Sequence, residues 1–310
     1  MRPEWEDRLT MWIDVLKQDF YEPLGKIDLE GFCTYDMLTP EQASRHAFCA
    51  MEEGTRWGRA WEYCWMRGEF LLPEEARDRR IVMDLNQGGE ATLFVDGKAF
   101  GACRADWVKE RHHYLCDQIL AVRGEPGRRY DLLIEAYAGH DYPRDRHGRS
   151  VLGPMIPDSG NTYTVRDENE LRQAVGCSTF GIWHEEAYQL WKDVSALNGL
   201  RTVLDPSSLR LAEIEEALER FTLMVDFEQP RAGRLADYAA AREALHPVME
   251  ARNGSIAPQF YAVGNAHIDI CWLWPYPQRR RPRSKRKHHS NTHQQRPKRI
   301  RGRTQGYQIS

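Results

Sequence analysis

The chain has 310 residues, enough for two domains, and its 41% hydrophobic and 11% aromatic residues exclude a chain disordered throughout. Its formal net charge of −3 hides an asymmetry, because residues 279–310 hold twelve Lys or Arg and no acid; removing these from 43 leaves 31 basic against 46 acidic residues in 1–278, a net of −15. No stretch approaches the ~18 apolar residues of a membrane span, and Met1-Arg-Pro-Glu-Trp-Glu-Asp lacks the basic-then-apolar layout of a secretory signal, so a cytoplasmic location is the default expectation.

The seven cysteines are odd in number, scattered, and free of any Cys-x-x-Cys pair. They read as reduced thiols, not as a disulfide framework or a zinc ribbon.

Residues 1–54 are expected to form an N-terminal helical segment. Leu9, Trp12, Ile13, Leu16 and Phe20 recur at spacings of three and four, which predicts an amphipathic helix over residues 5–22. Thr39-Pro40 has the form of a helix start, with Thr39 as cap and Pro40 in the first turn.

Residues 55–175 change texture to short strands separated by turn residues, the pattern of a β-sandwich accessory domain. Strands are predicted over 65–72, 80–85, 91–95 with 98–100, and 129–137. Asp96-Gly97 between two of them is a hairpin signal, since both residues accept the positive φ of a type I′ turn. Gly88-Gly89 is no phosphate loop, because neither Gly-Lys-Ser/Thr nor a helix follows. Arg111-His112-His113 and His140 read as solvated loop residues in place of metal ligands.

Residues 176–256 are expected to be helical. Ile182-Trp183, Ala187, Leu190-Trp191, Val194 and Leu197 are assigned to one helix face, with Asn198-Gly199 as its end. Trp183 and Trp191 at helical spacing are read as core more than as sugar platforms. A second helix starts after Asp205-Pro206-Ser207-Ser208, and an Ala-rich third covers about 235–252.

The residues that carry chemistry lie at 257–278. An apolar run, Phe260 to Val263, passes through Gly264-Asn265 into Ala266-His267-Ile268-Asp269, followed by Cys271-Trp272-Leu273-Trp274-Pro275. In an extended segment residues i and i+2 share a side, so His267 and Asp269 can present an imidazole and a carboxylate to one divalent metal. Trp272 and Trp274 are close enough in sequence to wall the same pocket with flat apolar faces suited to a sugar ring.

This stretch, with His, Asp and a Trp three positions after the Asp, resembles the first catalytic motif of the glycoside hydrolase family 38 α-mannosidases. The run Gly88 to Lys98 is similar to the accessory β-domain in the longer members of that family. The resemblance covers roughly residues 5–276. It implies an α+β multi-domain chain in which 257–278 are the first strand and metal motif of an α/β catalytic domain. It also implies retaining hydrolysis of terminal α-mannosides with one zinc ion held by His267 and Asp269. Trp272 would be the stacking floor, and Trp274 a weaker substrate-binding candidate. The nucleophile and general acid of the family are not identifiable in this sequence, so catalytic residues stay unassigned.

After Pro275 the texture breaks into Pro277-Gln-Arg-Arg-Arg-Pro-Arg-Ser-Lys-Arg-Lys-His288-His289. Residues 279–310 are expected to be a basic, disordered tail. The switch has the form of a chain truncated or frame-shifted after the motif, so the chain alone is expected to lack mannosidase activity. Two readings from other classes stay beside this one. A basic tail can neutralise phosphates of nucleic acid, though the acidic body opposes it; and a sandwich can bind carbohydrate without catalysis. A mannoside or oligosaccharide is the expected partner, no membrane is involved, and the sequence leaves a homo-oligomer open.

Overall fold

The computed structural model describes residues 3–103, 119–139 and 170–251. They fall into two compact units, one made of residues 3–22 and 182–251 and the other of the described residues between 23 and 181. The chain is a mixed α+β protein, as its sequence predicts.

The first unit is helical. Helix α1 (Pro3–Gln18) buries Trp5, Leu9 and Leu16, which lie on one stripe at spacings of four and seven. Three later helices complete the unit: α3 (Glu185–Arg201), α4 (Leu209–Met224) and α5 (Arg231–Met249). Helix α1 packs against α3 and α4, and those two pack against α5. Leu190 and Val194 of α3, Ile214 and Leu218 of α4, and Tyr238 of α5 are fully buried. Ser208 starts α4 by accepting the Leu211 amide at 3.1 Å, one of the first-turn donors that has no partner within the helix. Asp19, just past α1, is fully buried and tied to α5 through Arg231, Arg234 and Tyr238.

The second unit holds two main sheets. One has six strands in the order β3-β2-β5-β10-β7-β8. These are β2 (Glu30–Thr34), β3 (Cys49–Ala50), β5 (Tyr63–Leu71), β7 (Glu90–Val95), β8 (Lys98–Cys103) and β10 (Arg129–Tyr137). Every neighbouring pair in it is antiparallel. The other sheet runs β1-β12-β6-β9, from β1 (Tyr21–Lys26), β6 (Ile81–Asp84), β9 (Ile119–Ala121) and β12 (Thr179–Trp183). A short pair, β4 (Arg56–Trp57) with β11 (Gln173–Ala174), forms a separate two-stranded ladder.

The strand alternation decides what lies between the sheets. On β5 the inner face is Cys64, Met66, Gly68 and Phe70; on β10 it is Tyr130, Leu132, Ile134 and Ala136. Phe70 stacks on Phe180 of β12 with centroids 4.2 Å apart, so the two sheets meet there. Burying each such ring contributes about 2–3 kcal/mol. The β7–β8 hairpin turns at Asp96-Gly97, with φ of 50° and 72°. Both values are positive, as the predicted type I′ turn requires.

Three expectations need correction. Residues 21–50 are not a helical segment beyond α1 and the four-residue α2 (Pro40–Ala43), because they supply β1, β2 and β3 to the sheets. Trp183 ends strand β12 and does not lie on a helix. Asn198-Gly199 does not end α3, which continues to Arg201. There Arg201 donates to Asn198 at 2.8 Å and to Glu6 of α1 at 2.7 Å, and this anchorage outweighs the glycine's preference for a cap. The expected strand and metal motif at 257–278 and the tail 279–310 lie outside the described residues.

Candidate functional site

His267 and Asp269, the expected metal ligands, and Trp272 and Trp274, the expected sugar contacts, also lie outside the described residues, as do His112, His113 and His140. Among the described residues no group of three or more His, Cys, Asp or Glu could hold a metal ion. None of their helices is long and apolar enough to cross a membrane.

Trp183 and Trp191 belong to an aromatic cluster of the helical unit. Trp183 is 2% exposed and its indole N–H donates to Glu185 at 2.9 Å. Trp191 meets Phe20 edge-on at 5.6 Å and stacks with Tyr188 at 5.9 Å. Trp183 is therefore core, whereas Trp191, at its helical spacing, is partly buried against these rings. Beside them, the His184 ring and the Glu22 carboxylate are 3.1 Å apart, and Glu22 also lies 3.8 Å from Arg231.

A polar and aromatic arrangement of the β-unit lies on the outer face of the six-stranded sheet. Register places Thr34, Tyr63, Tyr137 and Glu90 side by side across β2, β5, β10 and β7. The next row is Phe32, Trp65, Glu135 and Thr92, and the third is Glu30, Arg67, Leu133 and Phe94. Cross-strand neighbours of this kind lie about 4.5–5.5 Å apart at Cβ, so a carboxylate, two phenols and an indole share one patch. The Tyr63 and Tyr137 rings are 5.2 Å apart. Burial pushes the Tyr137 phenol well above its usual pKa, and Tyr63 and Glu90 add to the effect.

Burial decides what this patch can do. Trp65 is 0% and Glu135 4% exposed, and Trp65 lies in a cluster with Ala43, Phe94, Phe32, Leu38, Phe48 and Leu133. Short helix α2 brings Ala43 to that cluster. Thr39 starts it by accepting the Gln42 amide at 3.2 Å, while the Gln42 side chain accepts the Thr39 amide at 2.8 Å. A sugar needs an aromatic face open to solvent, and Trp65 offers none. The sequence predicts β5 from Trp65 on, β7 and β10 but not β2, and leaves this face unassigned; the period of two in Tyr63/Trp65 and Glu135/Tyr137 is the signal that locates it.

Comparison with known proteins completes the picture. Residues 27–169 match the model of the α-mannosidase jelly roll domain. The chain is 22% identical over 250 residues to α-mannosidase 2C1 of Mus musculus, covering 81% of this chain and 22% of that protein. It is 21% identical to α-mannosidase G of Dictyostelium discoideum, over 72% of this chain and 19% of that one. The chain thus spans about a fifth of the length of these curated relatives. Among solved structures, the β-glucuronidase of Ruminococcus gnavus aligns over 52% of this chain and 28% of its own, at 11% identity and a TM-score of 0.31. That score is too low to carry an argument.

Proposed function

We infer that this chain, whose resemblance to the family 38 α-mannosidases holds through the jelly roll domain and most of its length, is the N-terminal portion of a retaining, zinc-dependent α-mannosidase. The observation that carries the reading is the match of residues 27–169 to the α-mannosidase jelly roll domain, a stretch whose described residues form the six-stranded antiparallel sheet. The substrate class is a terminal α-mannoside or oligosaccharide, and the location is cytoplasmic.

On this reading the sandwich is a support and the chemistry belongs to residues 264–275. The donor set of His267 and Asp269, an imidazole nitrogen and a carboxylate oxygen, is one that zinc accepts. Bound there, zinc would supply Lewis-acid stabilisation and orientation of the sugar hydroxyls. Trp272 would hold the apolar face of the ring by stacking, with Trp274 supporting it from behind. Retaining hydrolysis needs a nucleophilic carboxylate and a second carboxyl group as acid. Neither role is assigned to a residue of this chain. Catalytic zinc sites use three protein ligands, so the two recognised here are expected to hold the ion weakly and to give the 310 residues little activity of their own.

Calorimetric titration with zinc tests the ligand assignment. Binding should weaken about tenfold or more in His267→Ala and in Asp269→Ala, in line with the loss of one of few ligands. A His184→Ala control should leave it unchanged. Equal binding by the parent and both ligand variants overturns the assignment.

A further inference from the structure

Two cysteines face each other across neighbouring strands. Cys33 of β2 and Cys64 of β5 are direct partners in the antiparallel register. Directly opposed residues in such a ladder have Cα atoms about 4.5 or 5.5 Å apart, depending on the pair type. Both separations lie within the roughly 4.4–6.8 Å that a disulfide spans. Cys33 is exposed and Cys64 is buried, and both are thiols here. Neither takes any part in the α-mannosidase reading.

We propose that Cys33 and Cys64 form a thiol pair that a hydroperoxide converts into a cross-strand disulfide tying β2 to β5. The exposed Cys33 is the attacking group. Its sulfur takes the terminal oxygen of the hydroperoxide, the O–O bond breaks, and an alcohol, or water from hydrogen peroxide, leaves. Cys33 is then a sulfenic acid. The Cys64 sulfur attacks the Cys33 sulfur, the S–S bond forms, and the hydroxyl departs as water with the Cys64 proton. Two thiols lose two electrons and the peroxide gains them.

The division of roles follows from the surroundings. The Cys64 side chain hydrogen-bonds Cys33, and this holds the Cys33 thiol below its usual pKa although burial acts against it. The same contact, together with burial, pushes Cys64 far up. The thiolate, not the thiol, is the nucleophile, so the exposed member reacts first and the buried one resolves it.

The test uses the full chain treated with hydrogen peroxide, then alkylated in denaturant and digested without reduction. Mass spectrometry should find the Cys33 and Cys64 peptides joined, two hydrogens lighter than their sum, and separated by dithiothreitol. The titratable thiols should fall by two from the seven of the reduced chain. Cys33→Ser should abolish the joined species and leave Cys64 alkylated. Oxidation that stops at a sulfinic acid on Cys33 with Cys64 still a thiol overturns the proposal, as does a bridge from Cys33 to Cys49. The peptide map of the parent decides the question even where the variant folds poorly.

Discussion

The Tyr238 hydroxyl of α5 donates to the Asp19 carboxylate at 2.5 Å, at a point where Asp19 is wholly shielded from water. Arg234 donates to the same carboxylate at 2.7 and 2.8 Å, and Arg231 at 3.2 Å. One acid thereby fixes the end of α1 to the first turns of α5. A buried carboxylate is costly unless paired, and here three donors pair it. Removing it strands two guanidinium groups. Asp19→Ala should lower stability by about 3 kcal/mol, read by urea unfolding.

The same network sets an acid dependence. Burial alone would raise the pKa of Asp19, yet the hydrogen bonds from Arg234 and Tyr238 outweigh it and leave the carboxyl below its usual value. A depressed folded-state pKa contributes stability that is complete above the unfolded value, about pH 4 for Asp, and is lost as pH falls through the folded value. Helical signal should therefore weaken below about pH 4. In Asp19→Asn this part of the pH dependence should disappear. A variant with an unchanged acid profile would show that other carboxylates govern it.

Phe70 joins the two sheets through its stack on Phe180. Phe70→Ala leaves a cavity between them and should cost about 3–5 kcal/mol, measured as a lower denaturation midpoint at unchanged slope. A loss under ~1 kcal/mol would mean that the sheets close over the gap.

Gly89 sits at a φ of +69°, and a Cβ there would come within 2.5 Å of the Tyr137 carbonyl oxygen. Both the strained backbone and the close approach demand glycine. Gly89→Ala should cost about 2 kcal/mol or more, whereas Gly97→Ala, strained at +72° but with open space around it, should cost less. Thermal unfolding of the two variants side by side checks the order.

The Tyr137 hydroxyl is buried and has no hydrogen-bond partner among the described residues. Removing an unsatisfied buried hydroxyl relieves a desolvation cost, so Tyr137→Phe should be neutral or stabilising by up to about 1 kcal/mol. Marked destabilisation would reveal a partner for the phenol.

Local chemistry made some elements legible in the sequence and tertiary packing hid others. The Asp96-Gly97 turn, the Thr39-Pro40 helix start and the helix start at Asp205-Pro206-Ser207-Ser208 each depend on a few adjacent residues, so reading them needs no knowledge of the rest of the fold. Strand β1 is hidden in the sequence because Tyr21-Glu-Pro-Leu-Gly-Lys carries Pro23 and Gly25, which break a strand pattern. It lies at the edge of its sheet, where proline is tolerated, and an added Cβ at Gly25 would come within 2.7 Å of the Phe180 ring. Trp183 reads as helical from sequence because it stands one residue before His184, the cap of α3, and continues that helix's apolar spacing. The outer-face patch of Tyr63, Trp65, Glu135 and Tyr137 needed the register of β5 with β10, which no single segment reveals. His267, Asp269, Trp272 and Trp274 rest on the motif alone, since their segment is outside the described residues.

Hydrolysis of a chromogenic α-mannoside in the presence of zinc tests the central claim most directly. The 310-residue chain would be assayed beside the polypeptide read on in the alternative frame past the Pro275 codon, and beside its His267→Ala variant. Little or no hydrolysis by the first, clear hydrolysis by the second and its loss in the variant are the results predicted. Hydrolysis indifferent to His267→Ala, or none from a folded read-through polypeptide, would contradict the assignment.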